Sequence, residues 1–149
     1  MTKLELKNTT LSVSIANTDP IRVVQITDCH LGQEPGEELL GMDTDASLDY
    51  VLALLAAEQA DAQLLLATGD LSNHGKLEAY ERLCEKLNAF SMPSAWLAGN
   101  HDSRELMVKA VGAAKLPRLV GIGNWGIIML DSAVPGKVGG ELGSAELQR

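Results

Sequence analysis

Three short polar clusters interrupt the apolar pattern of this chain: Asp28-Cys29-His30, Gly69-Asp70 and Gly99-Asn100-His101-Asp102. An aspartate and a histidine two positions apart offer a carboxylate oxygen and an imidazole nitrogen. That donor pair suits iron, manganese or zinc, whereas an all-oxygen set suits magnesium or calcium. In an extended segment the first and third side chains point the same way, so Asp28 and His30 are expected to face one metal ion and Cys29 to point away. Asp70, presented by a turn at Gly69, has two oxygens with which to bridge two neighbouring cations. Asn100 adds a neutral carbonyl oxygen, a ligand without further negative charge. His101 beside it can aim at a substrate, and Asp102 is expected to orient the His101 imidazole.

Each cluster alone has an ordinary explanation as a solvated strand end, a turn or a helix cap. Their shared position argues otherwise, because each begins where a strand is expected to end. Residues 21–27 are rich in β-formers, residues 63–68 form a short apolar run of the kind covered on both faces in a parallel sheet, and residues 94–97 supply another brief strand. Helices are expected between and after them. One spans residues 44–59, with Leu48, Val51, Leu52 and Leu55 on one face behind Asp43 or Thr44 as cap. Others span 76–87, with Leu77, Tyr80, Leu83, Cys84 and Leu87 aligned, and 103–111. An edge strand at 11–15 precedes a turn at Asp19-Pro20, and Gly123-Asn124 joins strands 119–122 and 125–130 in an antiparallel hairpin. The pattern gives an α/β fold with a mixed, largely parallel sheet and flanking helices. In such sheets the carboxyl ends of neighbouring strands open on one crevice, where distant clusters converge.

Composition narrows the function. The chain has 149 residues, 46% hydrophobic and 21% charged, with a formal charge of −8, which points to one packed domain. No Lys/Arg cluster provides a footprint for nonspecific nucleic-acid binding. An anionic substrate would have to be met by metal ions or backbone N–H groups. The start Met1-Thr2-Lys3-Leu4-Glu5 lacks the apolar core of a secretory signal and no run is long enough to span a membrane, so a cytoplasmic location is expected. Cys29 and Cys84 are expected to remain thiols. His74 reads as a solvated loop residue, Asp131 as a turn residue, and Trp96 and Trp125 as strand residues filling core.

The ordered set Asp-x-His, Gly-Asp and Gly-Asn-His-Asp resembles the calcineurin-like metallophosphoesterase family. The resemblance is closest to the bacterial class III cyclic-AMP phosphodiesterases, through residues 25–31, Leu39-Leu40-Gly41, residues 67–72 and 96–102, Asn124-Trp125, Leu130-Asp131-Ser132 and Gly140-Glu141-Leu142. It implies an αββα sandwich. It also implies Asp28 and His30 as ligands of a first metal, Asp70 as the bridge, Asn100 as a ligand of a second metal, Asn100 and His101 as substrate contacts, and His101 as the catalytic histidine. Two divalent or trivalent ions, iron, manganese or zinc, would serve as cofactors, and a cyclic nucleotide or other small phosphodiester as substrate.

Cys29 in the middle of the first motif and Ala98 in place of a common proline depart from the family without touching a ligand. A larger departure is that the family completes its site with later histidines, including a Gly-His-x-His motif, while this sequence has only His30, His74 and His101. Residues 144–149 read as the first turn of a capped helix. The expectation is therefore a single phosphoesterase domain over 1–149, truncated at its C-terminal end. When complete it would hydrolyse 3′,5′-cyclic AMP to 5′-AMP. A nuclease or phosphomonoesterase of the same chemistry, and an inactive fragment serving as a binding module, are the alternatives.

Overall fold

A computed structural model describes residues 10–15 and 20–148. Met1 to Glu5, Asp19 of the expected turn and Arg149 lie outside the described residues. The expected central strand is present as β5 (Leu64–Thr68), paired in parallel with β2 (Val23–Ile26) on one side and β6 (Ser94–Leu97) on the other. Its continuous apolar run matches its position between two packed layers. β1 (Thr10–Val13) lies parallel to β7 (Leu119–Ile122), and β7 turns through Gly123-Asn124 into antiparallel β8 (Trp125–Ile128), giving a second three-stranded sheet.

Helices α1 (Thr44–Glu58), α2 (Leu77–Leu87) and α3 (Arg104–Val111) carry the apolar faces that the sequence suggested. Leu48, Leu52, Leu55, Tyr80, Leu83, Leu87 and Met107 join Ile26, Leu65, Ala67 and Trp96 in one core. The opposite face of the central sheet, with Leu64, Leu66, Ala95 and Leu97, packs on Leu11, Val13, Val120, Ile122, Ile127 and Met129 of the second sheet. The order of layers is helix, sheet, sheet, which is an incomplete α/β sandwich. Beyond the second sheet Leu119 and Ile128 stand opposite one another, 39% and 66% exposed.

Several local details differ from expectation. Asp43, not Thr44, caps α1, its carboxylate accepting from the Ala46 N–H at 2.9 Å. Val51 is exposed at the margin of the α1 face. A two-residue ladder, β3 (Glu38–Leu39) with β4 (Met42–Asp43), folds around Leu40-Gly41 ahead of α1. Trp125 was expected in the core but is 67% exposed, because the hairpin end overhangs the second sheet's packed face, whereas Trp96 is buried at 1%. The last helix, α4 (Ser144–Leu147), has Gly143 at its N-cap and no side-chain cap, so Ser144 does not cap it.

Candidate metal centre

The three clusters leave the carboxyl ends of β2, β5 and β6, and backbone pairing continues past the strands to lock them together. Asp28 N–H donates to the Gly69 carbonyl at 3.1 Å, His30 N–H to the Asp70 carbonyl at 2.9 Å, and Leu31 N–H to the Leu71 carbonyl at 3.0 Å. β2 ends at Ile26, and Asp28 and His30 are not extended. Their φ values are 55° and 44°, and Asp70 has 50°. The strand-alternation argument for Asp28 and His30 is thereby corrected, since left-handed turns rather than a pleat bring their side chains to one place. Such conformations cost of order 1 kcal/mol or more in a residue with a Cβ. Three of the four non-glycine residues with positive φ among the described residues are site candidates, the fourth being Leu40.

The side chains converge. His30 Nε2 lies 3.9 Å from Asp28 Oδ1 and 3.9 Å from Asp70 Oδ2. The His30 and His101 rings meet edge to face with centroids 4.9 Å apart. Donor atoms of His30, Asp70 and His101 all fall within 4.8 Å of one another. Asp28, Asp70 and Asn100 line a single open cavity of about 210 Å³, which Ser132, Ala133 and residues 138–140 also line. A separation of 3.9 Å is too long for a hydrogen bond but fits two donors each about 2 Å from a shared cation. His30 Nδ1 is buried and has no hydrogen-bond partner among the described residues, so neither ring nitrogen is tied up by the protein. The donor set thus fits a transition-metal ion.

Each carboxylate is held differently. Asp28 sits at the rim, 64% exposed, with the Thr27 hydroxyl 2.6 Å from its Oδ2. Asp70 is 17% exposed, and its Oδ1 accepts from the His101 N–H at 3.0 Å. Glycine is required where these loops touch. Gly69 has φ 83°, and a Cβ on Gly99 would fall 2.2 Å from Asp70 Oδ1. Cys29 turns toward the core, and burial pushes its thiol up to about 12, with Asp102 and Asp28 contributing. In the metal-free chain it is a neutral thiol.

Among the described residues no hydrogen bond joins Asp102 to the His101 ring. Its Oδ2 accepts from the Gly99 N–H at 2.8 Å and the Leu71 N–H at 3.2 Å, and its Oδ1 from the Ser72 N–H and the Tyr80 hydroxyl, both at 2.9 Å. With those donors taken, the partner of His101 Nδ1 is the Asn73 carbonyl at 2.9 Å. No sequence pattern pointed to Asn73. His74 is exposed and meets the Asn73 amide at 3.3 Å. Asp131 accepts from the Ala133 N–H at 3.1 Å in a turn and stands 3.6 Å from Arg104.

Fold and donor set together define an α/β protein with candidate nitrogen and oxygen donors gathered at the carboxyl ends of its central parallel sheet. The chain belongs to the calcineurin-like phosphoesterase family, whose model matches residues 21–136. It is 44% identical over 128 residues to the 3′,5′-cyclic adenosine monophosphate phosphodiesterase of Pseudomonas aeruginosa, covering 85% of this chain and 47% of that protein. It is 37% identical to the Escherichia coli K12 protein of the same name, covering 93% and 51%. It is 38% identical to a 3′,5′-cyclic-nucleotide phosphodiesterase of a Nostoc species, covering 86% and 49%. The chain spans about half the length of these curated relatives. Hydrolases of this family generally use divalent metal ions. No described helix is long and apolar enough to cross a membrane.

Proposed function

We propose that this chain forms one half of a dinuclear metallophosphoesterase site that, in the complete protein, opens 3′,5′-cyclic AMP to 5′-AMP. Two observations support the reading: Asp28, Asp70 and Asn100 line one cavity, and donor atoms of His30, Asp70 and His101 lie within 4.8 Å of one another. The names of the relatives support the substrate. Asp28 and His30 would hold one ion, Asp70 would be shared, and Asn100 would serve a second. Iron, manganese or zinc suits these nitrogen and oxygen donors. When bound, the two ions supply Lewis-acid polarisation of the phosphoryl group and a water of lowered pKa.

The residues of the chain then have separate tasks. The Asn73 carbonyl can only accept, so it keeps a proton on His101 Nδ1 and leaves Nε2 as the nitrogen that exchanges protons. In the reaction the water oxygen would bond to phosphorus and release one proton to solvent, the bond from phosphorus to the ribose 3′ oxygen would break, and His101 Nε2–H would protonate that oxygen. Asn100 approaches the phosphate without adding negative charge, which matters in a chain of formal charge −8. The single domain over 1–149 would be completed by downstream residues that supply the remaining histidine ligands.

Hydrolysis of cyclic AMP, a generic aryl diester and a phosphomonoester by the full-length protein, with and without manganese, tests the reading. A clear preference for cyclic AMP, lost in Asp70→Asn, is expected. Equal turnover of all three would remove the cyclic-nucleotide assignment, and unchanged turnover in Asp70→Asn would remove the bridge.

A further inference from the structure

Tyr80 is completely buried, and its hydroxyl faces the site from beneath rather than the core around its ring. It donates to Asp102 Oδ1 at 2.9 Å and accepts from the Ser103 N–H at 2.8 Å. The other donors to Asp102 are Leu71 and Ser72, which directly follow Asp70, and Gly99, which directly precedes Asn100. One carboxylate therefore rivets the Asp70 loop to the Asn100-His101 loop. Tyr80 supplies the one donor in that set that belongs to neither loop, brought in by α2.

We propose that Tyr80 is a positioning residue for the metal centre: acting through Asp102, its hydroxyl sets the distance between Asp70 and the Asn100-His101 pair. The inference rests on the metal-site reading of those residues, not on the identity of the substrate. A phenylalanine would fill the same core space. Without the oxygen, Asp102 Oδ1 keeps only the Ser72 N–H, and the Ser103 N–H loses its acceptor. The two loops can then drift apart, so ions bound across them are held less well. A hydroxyl on a carboxylate is a charge-assisted bond and among the stronger ones in a protein.

The test uses the full-length protein as Tyr80→Phe, Asp102→Asn and the double variant. Manganese is titrated calorimetrically into metal-free samples, and amide exchange is followed at Leu71, Ser72 and Gly99. Tyr80→Phe should bind manganese roughly tenfold more weakly, with faster exchange at those three amides before metal is added. In the double variant the loss should be no greater than in Asp102→Asn alone, since both substitutions act through the same rivet.

Leu83→Ala, which loosens the same helix without removing a hydrogen bond to either loop, is the control. Affinity in Tyr80→Phe within twofold of the unsubstituted protein would overturn the proposal. So would an equal loss in Leu83→Ala, or full additivity in the double variant. If the unsubstituted protein binds two manganese ions but leaves cyclic AMP intact, the substrate reading fails and the role of Tyr80 stands. If Asp70→Asn binds manganese normally, the site itself is wrong and both fall.

Discussion

Adding one methyl group at Gly99 tests whether the closeness of the two loops matters. An ideal Cβ there would sit 2.2 Å from Asp70 Oδ1 and 2.5 Å from the Asp70 backbone nitrogen. The carboxylate can swing away, but the backbone nitrogen cannot, so the loops must part. Gly99 does not occupy a left-handed conformation, which leaves the collision as the whole effect. Parting breaks the 3.0 Å bond from the His101 N–H to Asp70 Oδ1. A hydrogen bond to a charged group contributes about 1.5–3 kcal/mol, which corresponds to roughly 10- to 150-fold in metal affinity if it is all expressed there. Equilibrium dialysis of manganese against full-length Gly99→Ala would read this. Gly121→Ala, where a Cβ meets nothing within 4 Å on the open face of β7, is the matched control. Indistinguishable manganese binding by the two variants would refute the claim that Gly99 is glycine in order to seat Asp70.

Arg82 grips Asp45 through Nε at 2.8 Å and Nη2 at 3.1 Å, and also donates to the carbonyls of Gly32 and Gln33, with only 15% and 10% of the two ionic side chains exposed. Arg82→Met should cost about 3 kcal/mol by leaving the buried Asp45 with only Lys86, at 3.8 Å, while Arg82→Met combined with Asp45→Leu should recover part of that loss in thermal melts. On the outer face of the second sheet, Ile128→Lys should shift the 149-residue chain from associated species toward monomer in light scattering, because the exposed Leu119–Ile128 pair is an apolar patch on β8, the edge strand of that sheet among the described residues. Alkaline stability follows from Tyr80, whose hydroxyl is raised above its ordinary value of 10.0 by burial first and by Asp102 next. The folded state keeps that proton longer than the unfolded chain does, so the tyrosine's contribution is complete below pH 10 and is lost as the pH climbs beyond it. Tyr80→Phe should flatten the fall in melting temperature above pH 10, and an unchanged slope would show that Tyr80 titrates normally.

That the candidate residues follow neighbouring parallel strands could be read from the sequence because it depends on patterns that survive in one dimension. The apolar run ending at Thr68 fixes a doubly covered strand, and clusters following three such strands must open on the same crevice. How the side chains get there could not be read in the same way. The bond from Asp28 N–H to the Gly69 carbonyl joins residues forty-one positions apart, and that pairing, not local propensity, holds Asp28 and His30 at positive φ. The same limit explains Asp102, whose neighbour in sequence is His101 but whose partners in space come from the Asp70 loop, Gly99 and α2. Arg82 was invisible for a related reason, since an arginine among Glu81, Glu85 and Lys86 on a helix looks like a solvated charge until Asp45 and two loop carbonyls close on it. Trp125 erred in the other direction, because strand propensity says nothing about whether another layer lies over the end of a hairpin. Sequence spacing thus locates donors, while the separation between them is set by buried polar groups that the spacing does not mark. Those groups are where a phosphoesterase with intact motifs can still lose its metals.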